Sequence, residues 1–184
     1  MRKLIYHVGT TLDNFICGEE RSIAGFLADG DHITDYLESL NNYDTVLMGK
    51  ATYEFGYRFG LTPGMAPYPN MKNYVFSQSI KIDGPLDDRL TIVRDDSISF
   101  IKHLKSTQGT PIYLCGGGVF ASSLLDHNLI DTLIVKLNPV LLGSGIRLFE
   151  RSRQKVELTL TDTKIYNSGV VLLTYVIGRQ GYVT

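Results

Sequence analysis

The run Ile112-Tyr113-Leu114-Cys115-Gly116-Gly117-Gly118-Val119-Phe120 constrains the fold of this chain more than any other segment. Four apolar residues read as a buried strand, three glycines break it, and a helical pattern follows. Three successive residues without Cβ let the backbone come close to another group. The helix after them offers unpaired N–H groups and the positive end of its dipole. Strand, close turn and helix N-terminus in that order suit an α/β architecture and the pyrophosphate of a dinucleotide.

The rest of the chain supplies matching elements. Residues 3–8, 45–48, 74–76, 90–93, 111–115 and 132–137 read as strands. Helical spacing predicts helices over residues 31–42 (Ile33, Tyr36, Leu37, Leu40), 52–56 and 119–127, and one capped by Ser97 that carries Ile98, Ile101 and Leu104. Residues 156–166 and 170–177 alternate about Asn167-Ser168-Gly169, a hairpin signal. Residues 60–70 hold Pro63, Pro67 and Pro69 and form an ordered loop or a lid. The pattern predicts one α/β domain, residues 1–184, with a mostly parallel sheet and an antiparallel edge.

Composition narrows the function. With 43% hydrophobic and 20% charged residues the chain is globular, and a net charge of −1 gives no electrostatic reason to expect nucleic acid. Cys17 and Cys115, the two cysteines, sit in apolar surroundings, so no disulfide is implied and a reducing compartment is expected. The first apolar run is too short for a signal peptide, and no segment approaches the roughly 18 apolar residues of a membrane span. The expectation is a soluble cytoplasmic protein with a small-molecule partner, no nucleic acid and no membrane.

Residues 116–121 satisfy G-x-G-x-x-G/A, but a Rossmann unit also needs an acid about 20 residues further on. The following strand runs instead into Asn138-Pro139, so a standard Rossmann unit is disfavoured; a packing turn or another nucleotide cradle remains. Other strand ends share the rim. Met48 runs into Gly49-Lys50-Ala51-Thr52, Phe76 runs into Ser77-Gln78-Ser79, and Arg94 ends a further strand. Gly49-Lys50 is not a Walker lysine, because Asp44 stands where the first glycine belongs and Ala51 where the hydroxyl belongs. Asp29-Gly30-Asp31 fails as a calcium loop at Ile33 and Thr34, and Gly143-Ser144-Gly145 is not a nucleophile elbow. His7, His32, His103 and His127 show no metal-ligand spacing, so no metal is expected, and Cys115 reads as a small hydrophobe ending a strand.

Four segments now resemble one family. Residues 11–16 (Thr-Leu-Asp-Asn-Phe-Ile) are similar to S-L-D-G-x-I, and Met48-Gly49-Lys50-Ala51-Thr52-Tyr53-Glu54 to M-G-R-x-T-(W/Y)-E. Val75-Phe76-Ser77 looks like V-L-S, and residues 112–118 like the strand with G-G-G, followed by Leu129-Ile130-Asp131 and P-V-L-L-G-x-G-x-x-L-F at residues 139–149. The chain resembles the dihydrofolate reductase-like superfamily, in the branch of the riboflavin-biosynthesis reductase domain, 5-amino-6-(5-phosphoribosylamino)uracil reductase.

That resemblance implies a three-layer sandwich: a central, mostly parallel eight-stranded sheet with helices on both faces and a C-terminal antiparallel hairpin. It implies an NADPH-dependent oxidoreductase, and a homodimer paired through its C-terminal strands. Gly49, Lys50, Ala51 and Thr52 would hold the pyrophosphate and adenosine side, and Ser77, Gln78 and Arg94 the 2′-phosphate. Cys115, Gly116, Gly117, Gly118, Val119 and Phe120 would approach the cofactor, with a cis peptide between two of the glycines. Asn14, Ile16 and Phe55 would line the substrate mouth. Candidate proton-handling residues are Asp13 and one of Asp29, Asp31 or Asp35, with Asp31 taken first. A turn role fits Asp13 equally well, and acids at a helix start are favoured there in any case. The W-x-x-P-x-D/E pattern of folate reducers is missing from residues 26–36, and the chain has no tryptophan, which argues against folate reduction. Asn14 replaces a glycine of the branch, and Gln78 stands where an arginine often meets the 2′-phosphate. Hydride transfer to a small heterocyclic or sugar-derived substrate is the first reading. Dihydrofolate reductase proper and a dinucleotide-binding protein without turnover are the alternatives.

Overall fold

The computed structural model describes residues 1–178. Its elements run β1 (Leu4–Thr11), β2 (Phe15–Cys17), α1 (Asp31–Ser39), β3 (Thr45–Gly49), α2 (Lys50–Phe55), β4 (Lys72–Phe76), β5 (Leu90–Val93), α3 (Ser97–Ser106), β6 (Ile112–Gly116), α4 (Gly118–Asp126), β7 (Thr132–Asn138), β8 (Ile146–Arg147), β9 (Leu158–Ile165) and β10 (Val171–Ile177). Eight strands form one sheet in the order β5-β4-β3-β6-β1-β7-β10-β9, and β2 pairs with β8 separately. Neighbours from β5 to β7 are parallel, whereas β10 and β9 are antiparallel.

Strands buried on both faces must be apolar on both faces, which is why β1, β3 and β6 read as continuous runs. Leu4, Tyr6, Leu47, Leu114 and Leu133 point to one face and pack with Ile101 and Leu104 of α3 and Ala121 and Leu124 of α4. Val46, Met48, Val75 and Tyr113 point to the other face and pack with Tyr53 of α2. On that second face Tyr36 of α1 meets the His7 ring at 5.2 Å and shares a 2.9 Å hydrogen bond with Tyr113. The three layers expected from the sequence are therefore present, α1 and α2 on one side and α3 and α4 on the other.

The connections create one special point. The crossover through α2 leads from β3 outward to β4, and that through α4 leads from β6 the opposite way to β7, on the opposite face. Because β3 and β6 are neighbours, the winding reverses between them. A crevice opens at the carboxyl ends of strands at such a reversal.

Several expectations shift. Asp96, not Ser97, caps α3: its side chain accepts from the Ser99 N–H at 3.1 Å, and Ser97 is the first helical residue. Both residue types cap well, so adjacent candidates cannot be ranked from sequence. Helix α2 starts at Lys50, directly after Gly49, two residues earlier than expected. The β2/β8 pair was unforeseen because two and three residues carry no periodicity. It depends on Gly145, with φ of 145°, where a Cβ would lie 2.2 Å from the Cys17 carbonyl oxygen. The proline loop is ordered: Tyr53 accepts from the Gly64 N–H at 2.9 Å and donates to the Met65 carbonyl at 3.1 Å. The Asn73 side chain holds the loop's far end through the Tyr68 N–H (3.1 Å) and carbonyl (2.9 Å).

Candidate functional site

The glycine run forms one wall of the crevice. The Gly116-Gly117 peptide is cis, as the resemblance implied, and Gly116 has φ of 137°. A Cβ on Gly117 would stand 3.2 Å from Thr52 Oγ1, and one on Gly49 would stand 3.5 Å from Phe120 Cβ and 3.9 Å from the Gly117 nitrogen. The starts of α2 and α4 thus meet backbone to backbone. A Cβ on Gly118 would lie 2.3 Å from the Arg147 carbonyl oxygen, so this glycine admits β8 behind the turn. Phe120 stacks on Phe76 with centroids 4.8 Å apart, fastening α4 to the end of β4, while Val119 is left 46% exposed beside the turn. The N–H groups of the first turn of α4 have no intrahelical acceptor.

Cations occupy the next strand ends. Ser77 Oγ accepts from the Ser79 N–H at 3.2 Å and the Ile80 N–H at 2.9 Å, closing a tight turn after β4. Lys50 Nζ reaches Ser79 Oγ at 3.4 Å and Glu54 at 3.6 Å, and Arg94 Nη1 donates to the Ile80 carbonyl at 3.2 Å. Lys50, Ser77 and Arg94 are thereby gathered around one turn, with Gln78 and Ala51 exposed beside them. A phosphate would find two cations there and a main-chain surface leading away from it. The cradle without Cβ atoms and this cationic end fit NADPH.

The proposed mouth residues divide. The Asp13 carboxylate accepts from Thr11 Oγ1 (2.5 Å) and from the N–H groups of Leu142 (3.0 Å) and Gly143 (2.7 Å). These bonds, the Thr11 hydroxyl foremost, hold its pKa below the usual carboxylate range. Asp13 therefore ties the β1–β2 turn to the loop before β8 as a carboxylate, which makes it a poor proton donor at neutral pH. Asn14 has φ of 68°, the left-handed region in which glycine is at ease and asparagine is tolerated, and its carbonyl accepts from the Leu148 N–H at 3.1 Å. Ile16 packs against the core on the α3/α4 face. Phe55 meets Phe59 edge-on at 5.2 Å, and the Arg58 guanidinium stands 5.7 Å from its ring centroid. Arg58 in turn donates to the carbonyls of Glu20 (3.0 Å) and Arg21 (3.5 Å), joining the end of α2 to the loop after β2.

Asp31 is not brought to the glycine run. It opens α1, accepts from the His32 N–H at 3.0 Å, and its charge acts on Lys164 and Tyr166. Those residues belong to β9 and the turn after it, with three strands between β9 and the β6 end that carries the glycines. Asp35 stays there too, paired with Lys164 and bonded by the Tyr166 hydroxyl at 2.8 Å.

A group of hydroxyls around Cys115 was not foreseen. Tyr36 and Tyr113 share their hydroxyl bond, the Tyr68 hydroxyl lies 3.3 Å from Cys115 Sγ, and Tyr43 stacks on Tyr113 at 5.4 Å. Burial raises the pKa of each, Tyr43 to about 12, and of the Cys115 thiol, so all are neutral donors at neutral pH. They come from four separate segments, so no spacing in the sequence announces them.

Comparison with known proteins agrees with this geometry. The chain belongs to the RibD C-terminal domain family, which it matches over residues 2–173. The family is one of NADPH-dependent reductases. The chain is 32% identical over 174 residues to the uncharacterized protein YwjB of Bacillus subtilis, covering 93% of this chain and 96% of that one. A structure from Shewanella sp. PV-4, of a protein named for riboflavin biosynthesis, superposes with TM-score 0.79 at 21% identity over 97% of this chain and 100% of the other. Dihydrofolate reductase from Enterococcus faecalis, solved with NADP(H), superposes with TM-score 0.64 at 17% identity over 96% of this chain and 97% of the other. The fold is the dihydrofolate reductase-like fold. Among the described residues no helix is long and apolar enough to cross a membrane.

Proposed function

We propose that this chain is an NADPH-dependent reductase that reduces a C=N or C=O bond of a small heterocyclic or sugar-derived substrate, in the manner of the riboflavin-biosynthesis reductases. The observation that carries this reading is the crevice between β3 and β6, where Gly49, Gly116 and Gly117 leave bare backbone between two helix starts, with Lys50 and Arg94 beyond. Bound NADPH supplies the hydride. The chain supplies position: the glycines admit the cofactor's backbone, Thr52 Oγ1 faces them, and Lys50, Ser77 and Arg94 hold the 2′-phosphate. Asp13 and Asn14 fix the β1–β2 turn at the mouth through the bonds described above. Positioning and exclusion of water are the larger part of catalysis in such a site. The acid roles expected of Asp13 and Asp31 form no part of this reading, because one carboxylate is held ionised and the other faces β9.

That Asp13 is held as a carboxylate and Asp31 lies towards β9 favours a second reading, a dinucleotide-binding protein without turnover. Titrating NADPH and NADH while following nicotinamide fluorescence tests both. Binding of neither cofactor overturns both readings. Binding followed by oxidation with a pterin, pyrimidine or carbonyl panel supports the reductase, and tight binding with no oxidation across the panel supports the second reading. We also propose a homodimer through the C-terminal strands, since β9 is an edge strand exposed along its whole length, with Leu158, Leu160 and Ile165 open to solvent. Light scattering that returns the monomer mass at micromolar concentration would refute it.

A further inference from the structure

Hydride addition to a C=N or C=O bond leaves negative charge on nitrogen or oxygen, and a proton must meet it. Asp13 is held as a carboxylate and Asp31 lies towards β9, so neither supplies that proton. The hydroxyls around Cys115 stand closer to the cofactor wall. Cys115 directly precedes the cis Gly116-Gly117 peptide, and its side chain packs on the face of the sheet that carries α1 and α2. Thr52 Oγ1 of α2 meets Gly117 from that same face.

Counting hydrogens assigns a direction within this group. Each hydroxyl has one hydrogen to donate and lone pairs that accept. Tyr113 is 2% exposed, so its hydrogen must go to a protein acceptor. The Tyr36 oxygen lies 2.9 Å away, and the Cys115 sulfur, a weaker acceptor, is already approached by the Tyr68 hydroxyl at 3.3 Å. Tyr113 therefore donates to Tyr36. The hydrogen of Tyr36 is left for a group on the solvent side, where this half-buried residue borders an open cleft. One cation faces the same ring: the Lys136 ammonium stands 5.7 Å from its centroid, and among the described residues no carboxylate pairs with it. Asp35, the next acid on α1, is engaged by Lys164 and the Tyr166 hydroxyl. His7, which meets the Tyr36 ring edge-on at 5.2 Å, is neutral at neutral pH. Lys136 is thus the charge that a phenolate at Tyr36 would find, with its negative charge spread into the ring.

We infer that Tyr36 is the proton donor of the reduction, with Lys136 holding the phenolate it becomes and Tyr113 fixing its hydroxyl; the inference rests on the reductase reading above. Hydride joins the substrate carbon, the π electrons of the C=N or C=O bond move to nitrogen or oxygen, and that atom takes the Tyr36 hydrogen as the O–H bond breaks. Solvent in the cleft returns a proton to the phenolate, so the cycle consumes one hydride and one proton. Burial raises the Tyr36 pKa, which keeps the donor loaded at neutral pH. The nitrogen or oxygen anion that hydride addition creates is a far stronger base than a phenolate, so the transfer runs downhill. Tyr113 acts through Tyr36 and is a positioning residue.

Two measurements on the full-length chain test this. The first is single-turnover oxidation of NADPH by the pterin, pyrimidine and carbonyl panel in Tyr36→Phe. The rate is expected to fall about a hundredfold with NADPH affinity unchanged. The second needs no turnover. A trifluorotyrosine placed at residue 36, whose phenol ionises near neutral pH, is titrated by absorbance. Lys136→Met is expected to raise its midpoint by about one pH unit or more, a tenfold change in ionisation. An undiminished rate in Tyr36→Phe overturns the donor role, and a midpoint indifferent to Lys136→Met overturns the pairing. Oxidation by no member of the panel, in a chain that binds NADPH, overturns the reductase reading and this assignment with it. Should Tyr36→Phe fail to fold, the trifluorotyrosine chain decides: its rate is expected to fall as pH rises through that midpoint, and a rate flat across it overturns the assignment.

Discussion

The two ends of the central sheet treat positive charge in opposite ways. At the amino ends of the strands, Arg2 is 8% exposed; its Nε donates to the Thr110 carbonyl at 2.6 Å, and its guanidinium pairs with Asp44 and donates to Thr45 Oγ1 at 3.0 Å. Lys105, 3% exposed, donates to the Leu129 carbonyl at 2.6 Å and pairs with Asp131, which also accepts from the Leu4 N–H at 2.7 Å. At the carboxyl ends, among the described residues, Lys50 has only the two contacts beyond 3.3 Å already described, and Arg94 one carbonyl. A charge withdrawn from water must be answered by the fold. A charge left at the surface with long contacts is available to a ligand. The same residue types therefore close one rim of the molecule and equip the other.

The contrast can be broken by measurement. Lys105→Ala leaves Asp131 without its buried cation and is expected to cost about 3 kcal/mol or more in urea unfolding, against less than about 1 kcal/mol for Lys50→Ala. Equal costs would erase the distinction between the rims. His7 adds a pH dependence of similar size. Its pKa in the folded chain is about 4 against an ordinary 6.5, so as pH falls the unfolded chain takes up this proton first. Stability is expected to fall by up to about 3 kcal/mol between pH 6.5 and pH 4. His7→Leu should flatten that interval. The carboxylates held below their usual range, Asp13 and Asp35, act only at more acid pH.

Smaller effects probe the carboxyl rim itself. Gly117→Val is expected to weaken NADPH about a hundredfold, near 2.7 kcal/mol, with the circular dichroism spectrum unchanged. Unaltered affinity would reduce the glycines to a packing turn. Replacing Lys50 and Arg94 together with Ala should weaken NADPH about tenfold and NADH far less, and equal losses would remove the 2′-phosphate role. The smallest effect belongs to Asp13→Asn, which should leave the pH profile of hydride transfer in place, because Asp13 is already ionised. A displaced acid limb would restore it as a proton-handling group.

Local features were legible before the fold was seen. Glycine runs, caps within one residue, and apolar strands bounded by turn residues depend on neighbours in the chain. The rim residues Gly49, Lys50, Ser77 and Arg94 were legible for a related reason: each ends a strand, and parallel strands end on one side. The place of Asp31 was not legible, because a helix-start acid carries no information about which strand its helix overhangs. The tyrosines around Cys115 and the contact of Lys136 with Tyr36 left no trace, since their members lie far apart in sequence and share no spacing.

The sequence by itself determined the elements, their alternation, and the bare turn at Gly116-Gly117-Gly118, because backbone propensity and burial on both faces act over a few residues. The tertiary structure alone decided which charges are answered. It buried Lys105 beside Asp131, set Lys50 and Arg94 about one open turn, and laid Lys136 against the Tyr36 ring. Those outcomes depend on strand order and register, which bring together groups that the chain keeps far apart.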